Sequence, residues 1–291
     1  MKNVNELVSL ISLKAVDKNK FLGYSKDIGS PIVFGGQVIA QAIYAAYKTV
    51  LKDRFLHSLH SYFLEAGNLQ KTILFSVDEI RNGDSFNTRR VTATQDKRTI
   101  FILAASFHKT EKGYDHQTSI KKDIKQPEEL LSWTEILDKF KNVIPKRTKE
   151  FLSIERPIEF KPTIFANPLN KKNTPPFVDV WFKLKGDASL LNTQTKQEIL
   201  AYISDYNILN ATLNPHASIA NYGNTQMASL DHSMWFYRDF NFDDWMLLSA
   251  ESPNTFGARG FVKGNIFTRK GKLIASIAQE GLIRPIKNIL L

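Results

Sequence analysis

Asp205 is the acidic residue whose setting could do chemistry. Its neighbours at the i−4, i−3, i+3 and i+4 positions are Ala201, Tyr202, Ile208 and Leu209, all apolar or aromatic. A helix through this stretch would point the carboxylate to where the helix meets another element. A carboxylate so placed is either paired or raised in pKa, and both mark a site. The alternative is an exposed acid at a frayed helix end, since Asn207 and Asn210 are close. A carboxylate can act as a general base on water, and it does so better when a hydroxyl and an amide hold the same water. Ser229, in Met227–Arg238, and Gln279, in Ser276–Gly281, offer those groups. A glutamine ending an apolar strand more commonly faces solvent, so that reading of Gln279 stands beside the first.

Met227–Arg238 reads as a strand with Ala228, Leu230, His232, Met234 and Phe236 on one face and Ser229, Asp231, Ser233 and Trp235 on the other. Two hydroxyls, a carboxylate and an imidazole on a mostly buried strand are costly unless each finds a partner. The stretch is therefore either a satisfied polar core or part of a site. The six histidines (His57, His60, His108, His116, His216 and His232) show no metal-ligand spacing. The sequence lacks cysteine, which removes disulfides and a thiolate nucleophile and suits a reducing, cytoplasmic compartment. It has no Gly-x-Ser-x-Gly elbow, phosphate-binding Gly-x-x-x-x-Gly-Lys loop or Gly-x-Gly-x-x-Gly fingerprint. Phe34-Gly35-Gly36 at a helix start could hold an anion or a carbonyl oxygen, but close helix packing is the favoured reading.

The elements that must position these residues fall into two similar sets. Val4–Ser12 is a short amphipathic helix, and Gly36–Tyr47 is a helix apolar on nearly every side, hence buried. Strand-like runs follow at His57–Leu64, Thr72–Ile80, Ser85–Thr94 and Thr99–Phe107, with turns at Asn82-Gly83 and Asp96-Lys97. Leu130–Ile144 could be a helix. Six of the eleven prolines then fall between Pro145 and Pro176, which argues for an extended connector with an edge strand or two. The second set has a strand at Phe177–Leu184, a helix at Thr193–Leu209 and strands at Met227–Phe236, Trp245–Glu251, Phe256–Phe267 and Lys272–Leu282. The predicted division is residues 1–110, a proline-rich connector over 111–176, and 177–291 carrying the site.

His60-Ser61-Tyr62-Phe63 resembles His232-Ser233-Met234-Trp235, and Ser85–Arg89 resembles Thr255–Arg259, at offsets of 172 and 170. The same order of elements makes this a two-fold repeat, and the class is α+β, an antiparallel sheet wrapped around a helix in each half. Only the second helix carries an acid among its apolar neighbours, so one site per chain is expected. His232 has a counterpart in His60, in the half without that acid, so Asp231 and His232 read as mainly structural.

At 291 residues, 43% apolar and 23% charged, the chain is an ordinary globular protein. Its net charge of +10 suits an anionic partner, although the basic residues are spread out and form no long basic helix. A lysine-rich solvated surface is the simpler reading, and no nucleic-acid partner is expected. The longest uncharged run, Ile28–Tyr47, contains Pro31, Gly35, Gly36, Gln37 and Gln41 and makes a poor membrane span. No signal peptide and no C-terminal peroxisomal address is expected, the chain ending Ile289-Leu290-Leu291.

Several stretches, in order, resemble the acyl-CoA thioesterase II family: Val33–Ala42, His57–Phe63, Ser85–Val91, Leu230–Phe236, Ala258–Val262 and Ala278–Gly281. The connector matches only loosely. The resemblance implies a double hotdog fold, a fatty acyl-CoA substrate, and hydrolysis to free acid and coenzyme A without a cofactor or metal. It also implies self-association. Of the family's catalytic Asp, Thr and Gln, it places the Asp at Asp205 and the Gln at Gln279, and puts Ser229 where the family has Thr. Arg89, Arg90 or Arg259 would be candidates to meet the coenzyme A phosphates, with a structural ion pair as the commoner use of a strand arginine. Hotdog folds also host hydratases, which need an Asp-His pair after the helix, and a non-catalytic acyl-CoA binder is a third possibility. Here no histidine follows Asp205 until His216.

Overall fold

The computed structural model describes residues 1–144, 146–164 and 172–286. Part of the proline-rich connector and the C-terminal Ile289–Leu291 lie outside them. In chain order the elements are α1 (Val4–Ile11), β1 (Lys14–Asp17), β2 (Lys20–Gly23), α2 (Gly35–Tyr47), β3 (Arg54–Phe63), β4 (Ile73–Asn82), β5 (Phe86–Gln95) and β6 (Arg98–Lys109). The connector adds α3 (Trp133–Phe140), α4 (Lys146–Ser153) and β7 (Ile158–Pro162). The rest comprises β8 (Phe177–Leu184), α5 (Thr193–Ser204), α6 (Asn210–Leu213), β9 (Thr225–Ser229), β10 (Asp231–Phe236), β11 (Met246–Phe256), β12 (Arg259–Thr268) and β13 (Leu273–Pro285).

Alternation drives the strands. In β5, Asn87, Arg89, Val91, Ala93 and Gln95 are buried in strict alternation, the pattern of a sheet with one face on a core. Its turn to β6 places Asp96 and Lys97 at φ of 48° and 66°, as a tight primed turn requires. All strand pairs are antiparallel, and the sheet order is β1-β2-β4-β5-β6-β3-β10-β13-β12-β11-β8-β7, with β9 also on β13. The order reads the same from both ends if each half is taken as one unit, so the duplication is real at the level of elements. The seam is the β3–β10 pair, where His60 faces Ser233 and Ser61 faces His232.

The residue matches behind the repeat are displaced, however. His60 is exposed on the outer face and its Nδ1 is 3.1 Å from Ser233 Oγ, while His232 is fully buried. Arg89 is likewise buried and Arg259 exposed. Equivalent positions of two repeats face the same side of the sheet, so the outward His60 and the inward His232 are not equivalent. Ser61, across the seam, is the buried partner of His232, and its Oγ donates to the His232 carbonyl at 2.8 Å. His60 therefore gives no reason to read His232 as merely structural.

α2 and α5 lie side by side and antiparallel under the sheet. A Cβ on Gly36 would come 2.4 Å from the Tyr202 carbonyl, so glycine lets the helix backbones touch. At the other end the Tyr47 hydroxyl meets Gln197, whose Nε2 donates to the Leu56 carbonyl at 2.8 Å. The two polar residues within buried α2 are also satisfied. Gln41 Nε2 donates to the Leu10 and Tyr24 carbonyls at 2.8 and 3.0 Å, and Gln37 takes the Lys26 N–H at 3.1 Å. Within the connector, β7 pairs with β8 at the sheet edge. Trp181 Nε1 donates to the Lys125 carbonyl at 2.8 Å, which ties the connector to the outer face of the second half.

Candidate active site

α5 is started by Asn192, whose side chain accepts the Thr195 N–H at 2.9 Å, a normal N-cap. It stops earlier than expected: Ser204 is its last residue, Asp205 is the C-cap, and Asn207 takes a φ of 55°. Ile208 and Leu209 are thus not helical neighbours of Asp205, and the side chain is held by the end of the helix rather than by its face. That end sits against the start of α2, and the Gly36 N–H donates to Asp205 Oδ2 at 2.8 Å. The glycine-rich helix start is therefore committed to the carboxylate as well as to close packing.

Two further groups reach Asp205 from the sheet. Gln279 Nε2, on β13, donates to Asp205 Oδ1 at 3.1 Å and to Ser229 Oγ at 2.7 Å. Ser229 Oγ lies 3.5 Å from Asp205 Oδ1, the weakest contact of the set. All three residues predicted from the sequence thus converge, from α5, β9 and β13. Burial pushes the Asp205 carboxyl up to about 6, against the lowering effect of the Gln279, Gly36 and Ser229 hydrogen bonds. The C-terminal end of its own helix also disfavours the negative charge, and the N-terminal end of α2 favours it.

The convergence depends on a feature absent from the simple alternation of Met227–Phe236. β9 and β10 both pair with β13, through Ser229–Gly281 and Ser233–Ala278. Four steps along one strand are matched by three on the other, so one extra residue is bulged out at Leu230–Asp231. The bulge is held by the Leu230 N–H on the Glu280 carbonyl at 2.9 Å, and by the Asp231 carboxylate accepting the Glu280 N–H at 2.8 Å. The parity of the strand reverses there, so Ser229 and His232, predicted on opposite faces, both point at Gln279. His232 Nδ1 is 2.6 Å from Gln279 Oε1, and its Nε2 is 3.0 Å from Ser204 Oγ. Burial lowers the His232 pKa to about 4, which keeps the ring neutral.

The three residues open on a cavity of about 240 Å³ whose walls include Phe34, Tyr206, Leu209 and Met227. Phe34 packs on Tyr202 and Tyr206 at ring separations of 5.2 and 4.6 Å. The wall is mostly apolar, with Ser30, Asn207 and Asn210 also lining it, and suits an apolar chain with one reactive end. Of the arginine candidates, Arg89 is excluded. It is buried, and donates to the Thr49 hydroxyl and carbonyl, the Arg81 carbonyl and Asn82. Arg90 pairs with Asp78 and Arg259 with Glu280. Among the described residues there is no cluster of three or more His, Asp or Glu that could hold a metal, and no helix is long and apolar enough to cross a membrane.

An antiparallel sheet folded over a central helix, built twice in one chain, defines the double hotdog class. A solved protein of Alicyclobacillus acidocaldarius described as having a hot dog fold superposes with a TM-score of 0.76, covering 97% of this chain and 98% of that one at 14% identity. The profile described as acyl-CoA thioesterase matches residues 147–282, and that of the acyl-CoA thioesterase N-terminal domain matches 23–108. Acyl-CoA thioesterase 2 of Haemophilus influenzae is 39% identical, covering 97% of this chain and 98% of that protein. The solved acyl-CoA thioesterase II TesB2 of Mycobacterium marinum is 31% identical with a TM-score of 0.76, covering 95% and 97%. The chain belongs to the acyl-CoA thioesterase II family and is a thioester hydrolase.

Proposed function

We propose that this enzyme hydrolyses fatty acyl-CoA by direct attack of one water, held and activated by Asp205, Ser229 and Gln279. What carries the reading is the convergence of a carboxylate, a hydroxyl and an amide at 2.7 to 3.5 Å from three separate elements, beside a mostly apolar cavity. A carboxylate with a pKa of about 6 is ionised at neutral pH and still basic enough to take a proton. The acyl chain lies along Phe34, Met227 and Leu209, which brings the thioester carbonyl to the water. The water oxygen attacks the carbonyl carbon as Asp205 takes its proton. The resulting tetrahedral intermediate collapses, the C–S bond breaks, and the sulfur leaves as thiolate or takes the proton back from Asp205. A thiol pKa near 8.5 makes it a good leaving group. The positive charge of the chain favours approach of the polyphosphorylated coenzyme A.

The experiment is thiol release from palmitoyl-CoA. Wild type releases free thiol and Asp205→Ala does not, while the variant keeps its native circular dichroism. Wild-type turnover by Asp205→Ala would end the assignment. Given a 2-enoyl-CoA instead, a loss of enoyl absorbance without thiol release would indicate a hydratase.

A further inference from the structure

We infer that His232 is a positioning residue of this site: with Ser204, it fixes the Gln279 amide so that nitrogen, and not oxygen, faces Asp205 and Ser229. The inference rests on the reading that Gln279 holds the attacking water. A glutamine amide has nearly the same shape when turned over. Turned over here, its oxygen would face the ionised Asp205 Oδ1, and the amide would donate to neither Asp205 nor Ser229. Nothing at the Ser229 end prevents this, because a hydroxyl can donate as well as accept. The opposite end decides, where Gln279 Oε1 is 2.6 Å from His232 Nδ1. A neutral ring with its proton on Nδ1 can only donate to that oxygen.

The contact of the other nitrogen is compatible with this tautomer. Ser204 Oγ lies 3.0 Å from Nε2 and 2.8 Å from the Ala201 carbonyl, and it has one proton to give. That proton is donated to the Ala201 carbonyl, which can only accept, and is at most shared with Nε2, an arrangement compatible with the ring proton on Nδ1. The chain of hydrogen bonds then runs from His232 through Gln279 to Asp205, the residue next to Ser204. The His232 backbone is pinned by Ser61 Oγ at 2.8 Å, and the bulge beside it is what turns the ring inward. No part of His232 needs to touch the substrate.

The test is a double-mutant cycle on thiol release from palmitoyl-CoA, using wild type, His232→Ala, Gln279→Ala and the double variant. His232→Ala is expected to lower kcat by roughly 10–100-fold, with KM within about threefold, as for lost outer partners of a site. In the Gln279→Ala background the same change should cost less than about threefold, because His232 acts only through that amide. Equal losses in both backgrounds, or a wild-type kcat for His232→Ala, would overturn the inference. A wild-type kcat for Gln279→Ala would instead remove the water-holding reading beneath it. Should His232→Ala fail to fold, Ser204→Ala takes its place in the cycle with the same expectations. Nitrogen NMR of the wild-type rings adds an independent readout: His232 should carry its proton on Nδ1, and a proton on Nε2 would contradict the assignment.

Discussion

Asp205 is held between competing influences, and the balance has a cost in stability. Its folded pKa of about 6 lies above the ordinary value of 3.8, so the native state binds this proton more tightly than the unfolded chain does. The stabilisation this brings is present at acid pH and is lost as the pH rises from about 4 through 6, leaving a deficit of roughly 2–3 kcal/mol at pH 8. Asp205→Asn removes the charge and is expected to raise the melting temperature at pH 8, by about half as much at pH 5, and not at all below about pH 4. Thermal unfolding of both proteins at these pH values checks this. His232 shifts in the opposite sense, its folded pKa of about 4 lying below the ordinary 6.5. Its contribution therefore falls as the pH drops from about 6.5 to 4, which partly offsets the gain from Asp205 over the same range. Asp205, Ser229 and Gln279 were legible as candidates because a carboxylate, a hydroxyl and an amide stand against apolar surroundings, and the family resemblance singled out these three. The contacts of His232 with Gln279 and Ser204 are not legible in the sequence, because they cross between elements.

At the scale of elements, the bulge at Leu230–Asp231 and the contact of α2 with α5 do the positioning. Asp231 accepts the Glu280 N–H where the ladder is interrupted. Asp231→Ala leaves that N–H without its partner and is expected to cost roughly 1–3 kcal/mol, with a loss of about tenfold in kcat as Ser229 drifts from Gln279. Urea unfolding together with steady-state kinetics would detect both effects. Gly36→Ala places a methyl 2.4 Å from the Tyr202 carbonyl. The helices must then separate, which weakens the 2.8 Å hydrogen bond from Gly36 to Asp205. The expected result is a drop of about tenfold or more in kcat with retained secondary structure by circular dichroism. Strands such as Phe177–Leu184 and the buried helix from Gly36 were legible because periodicity and turn residues mark them locally. The bulge was not, since an extra residue in one strand is defined only against its partner. The end of α5 at Ser204 was also missed, because Asn207 in a left-handed conformation resembles any asparagine in the sequence.

At the scale of the molecule, the site joins the two halves of the chain, taking the Gly36 N–H from the first and Asp205, Ser229 and Gln279 from the second. On the proposed reading, duplication leaves one active site among the described residues, with the first half supplying a helix start in place of a second carboxylate. The same helix pair carries Glu198 toward its other end, where burial raises the carboxyl to about 8 despite Lys48. The native state again favours the protonated form. Its advantage is complete below about pH 4.5 and is lost as the pH rises through 8, at a cost of roughly 4–5 kcal/mol. Glu198→Gln should match wild type in stability near pH 5 and exceed it increasingly toward pH 8, which denaturant titrations at several pH values will show.

The central claim, that Asp205 is the base acting on water, is tested most directly by the pH dependence of kcat/KM for thiol release, measured on wild type and Asp205→Asn. Wild type should lose activity tenfold per pH unit below about 6 and level off above it. Asp205→Asn should be slower by about 10³-fold or more at every pH, with no inflection near 6. A variant within tenfold of wild type, or one that keeps the same inflection, would contradict the account.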